Sequence, residues 1–305
     1  MSIAKAVEIL RAGGLVVFPT ETVYGLGADA SNPKAVARVF EAKGRPHFNP
    51  LIAHVTGLAM AGQHGRLHPR AHALAKAFWP GPLTLIAPRR SESSVCDLAC
   101  AGLETIALRA PAHPTAQQLL EAFGAPIVAP SANRSGHVSP TTAAHARDDL
   151  RDRVDLILDG GPCEIGLEST IVAIDDHGRA TLLRLGATPR AEIEAITGPL
   201  AAPRQSGVQA PGMLESHYAP RARLRLDAEA PNAGEAYLAF GAPAPEGGLT
   251  LSASGDLTEA AANLYAHLRA LDARGVDAIA IAPIPSQGLG EAIRDRLARA
   301  AAPRG

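Results

Sequence analysis

The sequence predicts an α+β or mixed-sheet α/β fold rather than a regular βαβ repeat. Many short apolar runs bounded by turn residues read as strands. Helical patterns separate some of these runs and not others, which points to a sheet with mixed neighbours. A Gly- and Pro-rich stretch then sets off a shorter second α/β segment.

In chain order, 3–12 reads as a helix with Ile3, Val7 and Leu10 on one face, ended by Gly13-Gly14. LVVF at 15–18 reads as a buried strand, and the glycines Gly25 and Gly27 beyond it as a strand-to-helix turn. Asn32-Pro33 opens a helix whose buried face holds Val36, Val39 and Phe40. LIAHV (51–55) is a strand, 69–78 a helix, and LTLIA (83–87) a strand. TIALR (105–109) and PIVAP (126–130) are strands on either side of a helix over 113–123. LILDGG, STIVAI and TLLRLG are further strands. The stretch 197–221 has few apolar runs and reads as a linker or loop. Beyond it EAYLAFG and DAIAIAP are strands. Asp256 and Glu259 form a capping-box variant at the head of a helix running to about Arg274, and 290–301 is the last helix. The expected organisation is a main unit over 1–200, a linker over 201–221 and a small α/β, Rossmann-like unit over 222–305.

Composition narrows the class. The chain has 305 residues, 47% hydrophobic and 19% charged, which suits a globular protein rather than a disordered one. A net charge of −1 gives no global field towards nucleic acid. Cys96, Cys100 and Cys163 match neither a disulfide framework nor a zinc pattern. No window is apolar enough for a membrane span. No signal-type apolar core follows the first charge, so a cytoplasmic setting is expected.

Six features of the sequence could carry chemistry. VFPTETVYGLGADA (17–30) resembles a phosphate loop, yet it lacks the full dinucleotide fingerprint and no Walker lysine follows. In EAKGRPHFNPL (41–51), Lys43 and Arg45 flank a glycine on a proline-stiffened segment. They read either as a polyphosphate clamp or as a solvated helix end. PIVAPSANRSGHVSPTT (126–142) brings Ser131, Asn133 and Ser139, suited to phosphate, ribose or base contacts, or to turns and caps. GLESTIVAI places Ser169 and Thr170 at a strand entry. Arg109 and Arg184 end buried strands, where each needs an anionic partner from the protein or from a ligand. Finally, His217-Tyr218 in the linker could close over a site or belong to an exposed tether. No catalytic triad, metal-binding His-Glu-x-x-His or paired carboxylate stands out. Such a pocket positions a triphosphate and leaves the chemistry to the substrates.

Taken together, FPTETVYGLGADA, KGRPHFNPL, WPGPLTLI, ALRAPAHP, PIVAPSANRSG, GLESTIV and PGMLESHYAP resemble, in order and spacing, the YrdC-type threonylcarbamoyl-AMP synthases in their longer two-domain form. The resemblance implies a YrdC/RibB-like twisted mixed sheet with a concave basic face. It implies a nucleotidyltransferase that joins L-threonine, bicarbonate and ATP, with Mg²⁺, into L-threonylcarbamoyl-AMP and pyrophosphate. A separate transferase complex would then modify tRNAs that read codons beginning with A. By the same resemblance Thr22, His54, Arg109, Ala129 and Ser169 would hold threonine, with Arg109 on its carboxylate. Lys43, Arg45, Asn49, Thr105, Ser131, Asn133, Ser139 and Arg184 would hold ATP, and His217 or Tyr218 would cover it. Lys43 and Arg45 are the catalytic candidates, and no protein side chain is assigned to the metal. Thr22 and Tyr24 would both lie near the amino acid, while Thr20 and Glu21 have no assigned role. The alternative is an RNA-binding module of the same fold without synthase activity, or a weak RNA or tRNA contact beside the synthase. A hydrogenase-maturation carbamoyltransferase would need zinc-finger cysteine pairs that the sequence lacks.

Overall fold

A computed structural model describes residues 2–203, 210–213 and 216–303. Helix α1 (Ile3–Arg11) leads into strand β1 (Val16–Phe18) and β2 (Gly25–Asp29). Next come α2 (Pro33–Lys43), β3 (Ile52–His54), α3 (Leu58–His64) and α4 (Pro69–Phe78). Then follow β4 (Leu83–Pro88), β5 (Thr105–Arg109), α5 (Pro114–Phe123), β6 (Ile127–Val128), α6 (Ala143–Leu150) and β7 (Leu156–Ile157). Strands β8 (Thr170–Ile174) and β9 (Ala180–Arg184) and helix α7 (Arg190–Thr197) complete the first unit. The second holds β10 (Arg223–Arg225), β11 (Ala236–Ala239), β12 (Leu249–Thr250), α8 (Leu257–Asp272), β13 (Ala278–Ile281) and α9 (Leu289–Ala301).

Among the described residues, β1 to β9 form one nine-stranded sheet in the order β7-β1-β2-β6-β3-β5-β4-β8-β9. Its pairings are mixed, as expected: β1 is antiparallel to β2 and parallel to β7, and β5 is parallel to β3 and antiparallel to β4. The second sheet, β10-β13-β11-β12, is parallel throughout.

Strand β1 shows why an unbroken apolar run is needed. Val17 points to a core with Val36, Val39 and Phe40 of α2, while Val16 and Phe18 point to one with Leu10 of α1 and Leu119 and Leu120 of α5. Helices thus cover both faces there. The other half differs. Leu83, Leu85, Val172 and Leu182 pack on Leu74 of α4 and Ile193 of α7. The opposite face, with Ile52, Ile86, Ala107, Ile171 and Leu183, is met by Ala210 and Met213. The cavity described below opens on that side.

One local expectation is corrected. The GLGAD segment is strand β2, paired on both sides, and not a turn. Its glycines serve packing. A Cβ on Gly27 would lie 2.8 Å from the Phe18 ring and 3.0 Å from the Val16 carbonyl. Helices α3, α6 and α7 and the short strands β10 and β12 add to the expected elements. At α8, Asp256 accepts from the Glu259 N–H at 2.7 Å as a capping residue should. The return bond runs instead through Ser252, whose Oγ bonds Glu259 and accepts from the Asp256 N–H at 3.0 Å.

Candidate active site

A cavity of about 50 Å³ lies against the ends of β3, β5, β6 and β9. Thr20, Thr22, Arg45, His54, Arg109, Ala129, Ser131, Glu168, Ser169 and Arg184 line it, and Pro211, Gly212, His217 and Tyr218 close it. Typical small-molecule sites measure roughly 300–1,000 Å³. The cavity is small beside such sites, and His217 and Tyr218 stand at its wall.

Local structure aims the cations. Asn32 caps α2 through its Oδ1, Pro33 follows as the first helical residue, and Gly44 ends the helix in the left-handed region with φ 62°. Lys43, the last helical residue, is thereby turned inward. Its Nζ donates to the carbonyls of Ser131 and Asn133. Arg45 donates to Asn49 Oδ1 at 2.7 Å and to the Pro50 carbonyl at 2.9 Å. Arg184, at the end of β9, donates to the Ser169 carbonyl at 2.9 Å and to Ser169 Oγ at 3.1 Å. All three are buried, and all these acceptors are neutral. None of the three makes an ion pair among the described residues. Burial, and next to it the charge of Arg45, brings Lys43 well below its usual range. Burial and then Arg184 bring Arg45 down to about 10, and burial also lowers Arg184. Three buried cations bonded only to neutral acceptors form a strong anion site, although Glu168, which also lines the cavity, offsets part of the charge of Arg184.

The opposite wall is neutralised. Arg109 Nη2 meets Glu21 Oε1 at 2.6 Å, with both side chains buried, and Glu21 Oε2 accepts from the Ala112 N–H at 3.1 Å. Glu21, which the sequence left without a role, is therefore the partner that lets Arg109 be buried. Thr20 also gains one: its Oγ1 donates to the Val23 carbonyl at 2.6 Å and lies 2.8 Å from Thr22 Oγ1, so it folds the turn that presents Thr22. His54 stands beside Arg109, and burial together with that charge brings it down to about 3, so its ring is neutral. Around the cavity, Asn49 Nδ2, His54 Nδ1 and His217 Nδ1 are buried without a hydrogen-bond partner. Unsatisfied polar atoms gathered at one cavity mark a place where a polar ligand belongs.

Residues 8–186 match the Sua5/YciO/YrdC family model, described as telomere recombination. Residues 188–302 match the model described as the C-terminal domain of threonylcarbamoyl-AMP synthase. The chain belongs to the Sua5/YrdC family. The threonylcarbamoyl-AMP synthase of Bacillus subtilis is 40% identical over 322 residues, covering 98% of this chain and 92% of its own. That of Schizosaccharomyces pombe is 34% identical and covers 98% and 88%. The crystal structure of Pyrococcus abyssi Sua5 complexed with L-threonine superposes with a TM-score of 0.90 at 38% identity, covering 98% of this chain and 94% of that one.

Within this Sua5-type site most residues singled out in the sequence come together; Lys43 and Asn49 stand behind the lining, bonded to Ser131 and Arg45, and four others are turned to different tasks. Thr105 starts β5, about 13 Å along the strand from Arg109 at ~3.3 Å per residue, and lines a separate surface cleft with Arg66 and Glu104. Asn133 spends its amide on the carbonyls of Arg134 and His137, at 2.9 and 2.8 Å, and so braces its own loop. Ser139 Oγ donates to Glu168 Oε1 at 2.6 Å, one layer behind the cavity wall. Tyr24 faces the core side, where its hydroxyl donates to the Gly161 carbonyl at 2.7 Å. Within the expected linker, 204–209 and 214–215 lie outside the described residues. Sequence reasoning missed Glu21 and Glu168; the only signal was indirect and bore on Glu21 alone, since the buried Arg109 called for an anionic partner.

Proposed function

We propose that the chain is an L-threonylcarbamoyladenylate synthase, a nucleotidyltransferase using L-threonine, bicarbonate and MgATP. The observation that carries this reading is the charge asymmetry of the cavity. Lys43, Arg45 and Arg184 are buried among neutral acceptors on one side, and Arg109 is paired with Glu21 on the other. The first arrangement suits a polyphosphate, and the second a small zwitterion that needs a cation for its carboxylate and a nearby anion for its ammonium. The sequence similarity and the likeness to the threonine-complexed Sua5 support the same reading.

In this scheme the threonine amine and bicarbonate combine, with loss of water, to a carbamate. A carbamate oxygen attacks the α-phosphorus of ATP, and pyrophosphate leaves. Arg45, Lys43 and Arg184 neutralise charge on the phosphates, while Arg109, Thr22, Ala129 and Ser169 orient the amino acid. His54, neutral beside Arg109, offers an uncharged ring nitrogen to the same ligand. Glu168 in the cavity lining and Glu21 behind Arg109 are both held by arginines, and among the described residues no group of three His, Cys, Asp or Glu side chains is placed to hold a metal ion. That donor set fits a magnesium ion arriving on the phosphates as part of the substrate.

The wider setting belongs to the same proposal: a synthase unit over 1–200, a covering strap over 201–221, a small unit over 222–305, a cytoplasmic location and a downstream transferase complex acting on tRNA. No described helix is long and apolar enough to cross a membrane. The RNA-binding alternative is less supported, because the cations in question are buried around a small closed cavity rather than spread on an open face. The deciding experiment is mass spectrometry of reactions with ATP, L-threonine and bicarbonate. A threonylcarbamoyl-adenylate peak requiring all three is expected. AMP or ADP formation indifferent to threonine would overturn the reading.

A further inference from the structure

Glu168 lines the cavity from the first unit, yet its carboxylate is held largely from the second. Oε2 accepts from Arg296 Nε at 2.7 Å and from the Tyr265 hydroxyl at 2.8 Å. Oε1 accepts from Ser139 Oγ at 2.6 Å. Tyr265 is carried by α8 and Arg296 by α9, and both are almost fully buried. Arg296 also donates to the Leu185 carbonyl at 2.7 Å and bonds Asp295 at 2.6 Å. Gly166 makes this approach feasible. Its φ is +73°, and a Cβ there would fall 2.5 Å from the Ala261 carbonyl of α8.

The same arginine reaches the strap. Its guanidinium carbon sits 4.9 Å from the centre of the Tyr218 ring, which in turn stacks on Tyr265 at 5.9 Å. The His217 N–H donates to the Arg299 carbonyl one turn further along α9, at 3.2 Å. Tyr218 itself adopts φ 63°, unusual for a residue with a Cβ, so its surroundings hold it in place.

We propose that Arg296 is a positioning residue of the active site, through which the C-terminal unit both fixes Glu168 in the cavity wall and latches the strap over the bound nucleotide. The inference rests on the synthase reading for the identity of that nucleotide. The two effects act in one direction. Without Arg296, the buried Glu168 carboxylate faces the cavity with its positive partner gone, and a polyphosphate is repelled. Tyr218 also loses the cation under its ring, and the strap loosens on the side of Arg45 and Arg184. Arg109 and Glu21, on the other wall, are untouched.

The test uses the full-length chain carrying Arg296→Met, Glu168→Gln and the double substitution. Steady-state pyrophosphate release is read together with ATP binding by calorimetry and amide exchange over 216–222. For Arg296→Met, KM and Kd for ATP should rise roughly tenfold, the scale of one lost charged hydrogen bond. The KM for threonine and kcat should stay within about threefold, and exchange should quicken in the strap but not in β4 or β8. Adding Glu168→Gln should recover part of the ATP affinity, because it removes the stranded charge. The conservative Tyr265→Phe keeps the stack on Tyr218, removes a single bond to Glu168, and should raise the ATP KM by about threefold. It carries the test if Arg296→Met does not fold. An unchanged ATP affinity, a uniform rise in exchange or an equal loss for both substrates would overturn the proposal in favour of a purely structural arginine. Failure of the wild type to form threonylcarbamoyl-adenylate would instead sink the synthase reading, while calorimetry and exchange would still report on Arg296.

Discussion

Two buried arginines beside the cavity have carboxylate partners, Arg109 one and Arg296 two, whereas Arg45, Arg184 and Lys43 have only carbonyl, amide or hydroxyl oxygens. The difference separates charge used for architecture from charge held ready for a ligand. A paired arginine is already neutralised, and its carboxylate fixes its direction. Burial pushes Glu168 up, and the charges of Arg296 and Arg184 with the bonds from Arg296 and Ser139 overcome this, leaving it at about 2. The unpaired cations are lowered first by burial and then by a neighbouring arginine, Arg45 for Lys43, Arg184 for Arg45 and Arg296 for Arg184, a tension that an anionic substrate relieves.

The comparison breaks most plainly at Arg45. Arg45→Met should lower kcat/KM for ATP by about 10²–10³-fold, the range seen when one preorganised donor to a developing anion is lost. It should also leave the ligand-free protein as stable as before or more so, because a buried charge without a carboxylate has been removed. Pyrophosphate release and urea unfolding on the same preparation check both halves. Near-normal turnover would remove Arg45 from the phosphate clamp.

Glu21→Gln should do the reverse. Removing one partner of a buried ion pair costs about 3–5 kcal/mol, because the arginine is left without its counter-charge. Urea unfolding of Glu21→Gln should show that loss, and the KM for threonine should shift while the KM for ATP stays near the wild-type value. A stable Glu21→Gln protein with unchanged threonine affinity would mean that pairing is immaterial on this wall.

The pair at Arg109 was only half legible. TIALR shows a buried arginine that demands an anion, but its partner lies 88 residues away, in a turn with no charge pattern of its own. Arg296 and Glu168 are 128 residues apart, one on helix α9 and the other in the loop before β8, so nothing local marks them. The strands with branched apolar runs, such as Val16–Phe18 and Thr170–Ile174, are plain in the sequence. GLGAD is not, because its strand is selected by the space beside Phe18 rather than by β propensity. Helix α6, AAHARDDL, buries only Ala143, Ala146 and Leu150 and carries too weak an apolar stripe to announce itself.

Acid should sharpen the contrast further. Burial, with Arg109 for His54 and with Arg45, Lys43 and Arg296 for His217, brings both rings down to about 3, against 6.5 in an unfolded chain. The unfolded state thus binds more protons between these values. Stability is fully present above about pH 6.5 and falls as the pH drops towards 3. Glu168 acts lower down, its contribution being present above 4.5 and lost as the pH falls towards 2. His54→Gln should flatten the upper part of the profile and leave the lower part. An unchanged slope between pH 6.5 and 4.5 would mean that His54 is not held neutral.

The smallest effects test whether location, rather than residue type, decides the role. Tyr24 and Thr105 come from the same motifs as Thr22 and Arg109, yet the fold turns them away from the cavity. Tyr24 has its hydroxyl tied to Gly160 and Gly161, and Thr105 lies at the far end of β5. Tyr24→Phe should cost about 1–2 kcal/mol of stability, since a buried carbonyl and N–H lose their partner, without moving the KM of threonine. Thr105→Ala should leave the ATP KM within about twofold, because an exposed-side hydroxyl some 13 Å along the strand from Arg109 has no path to the phosphates. A clear rise in that KM would show that the nucleotide reaches beyond the cavity along the helix-free face of the sheet. The unpaired cations would then be only the inner part of the binding surface.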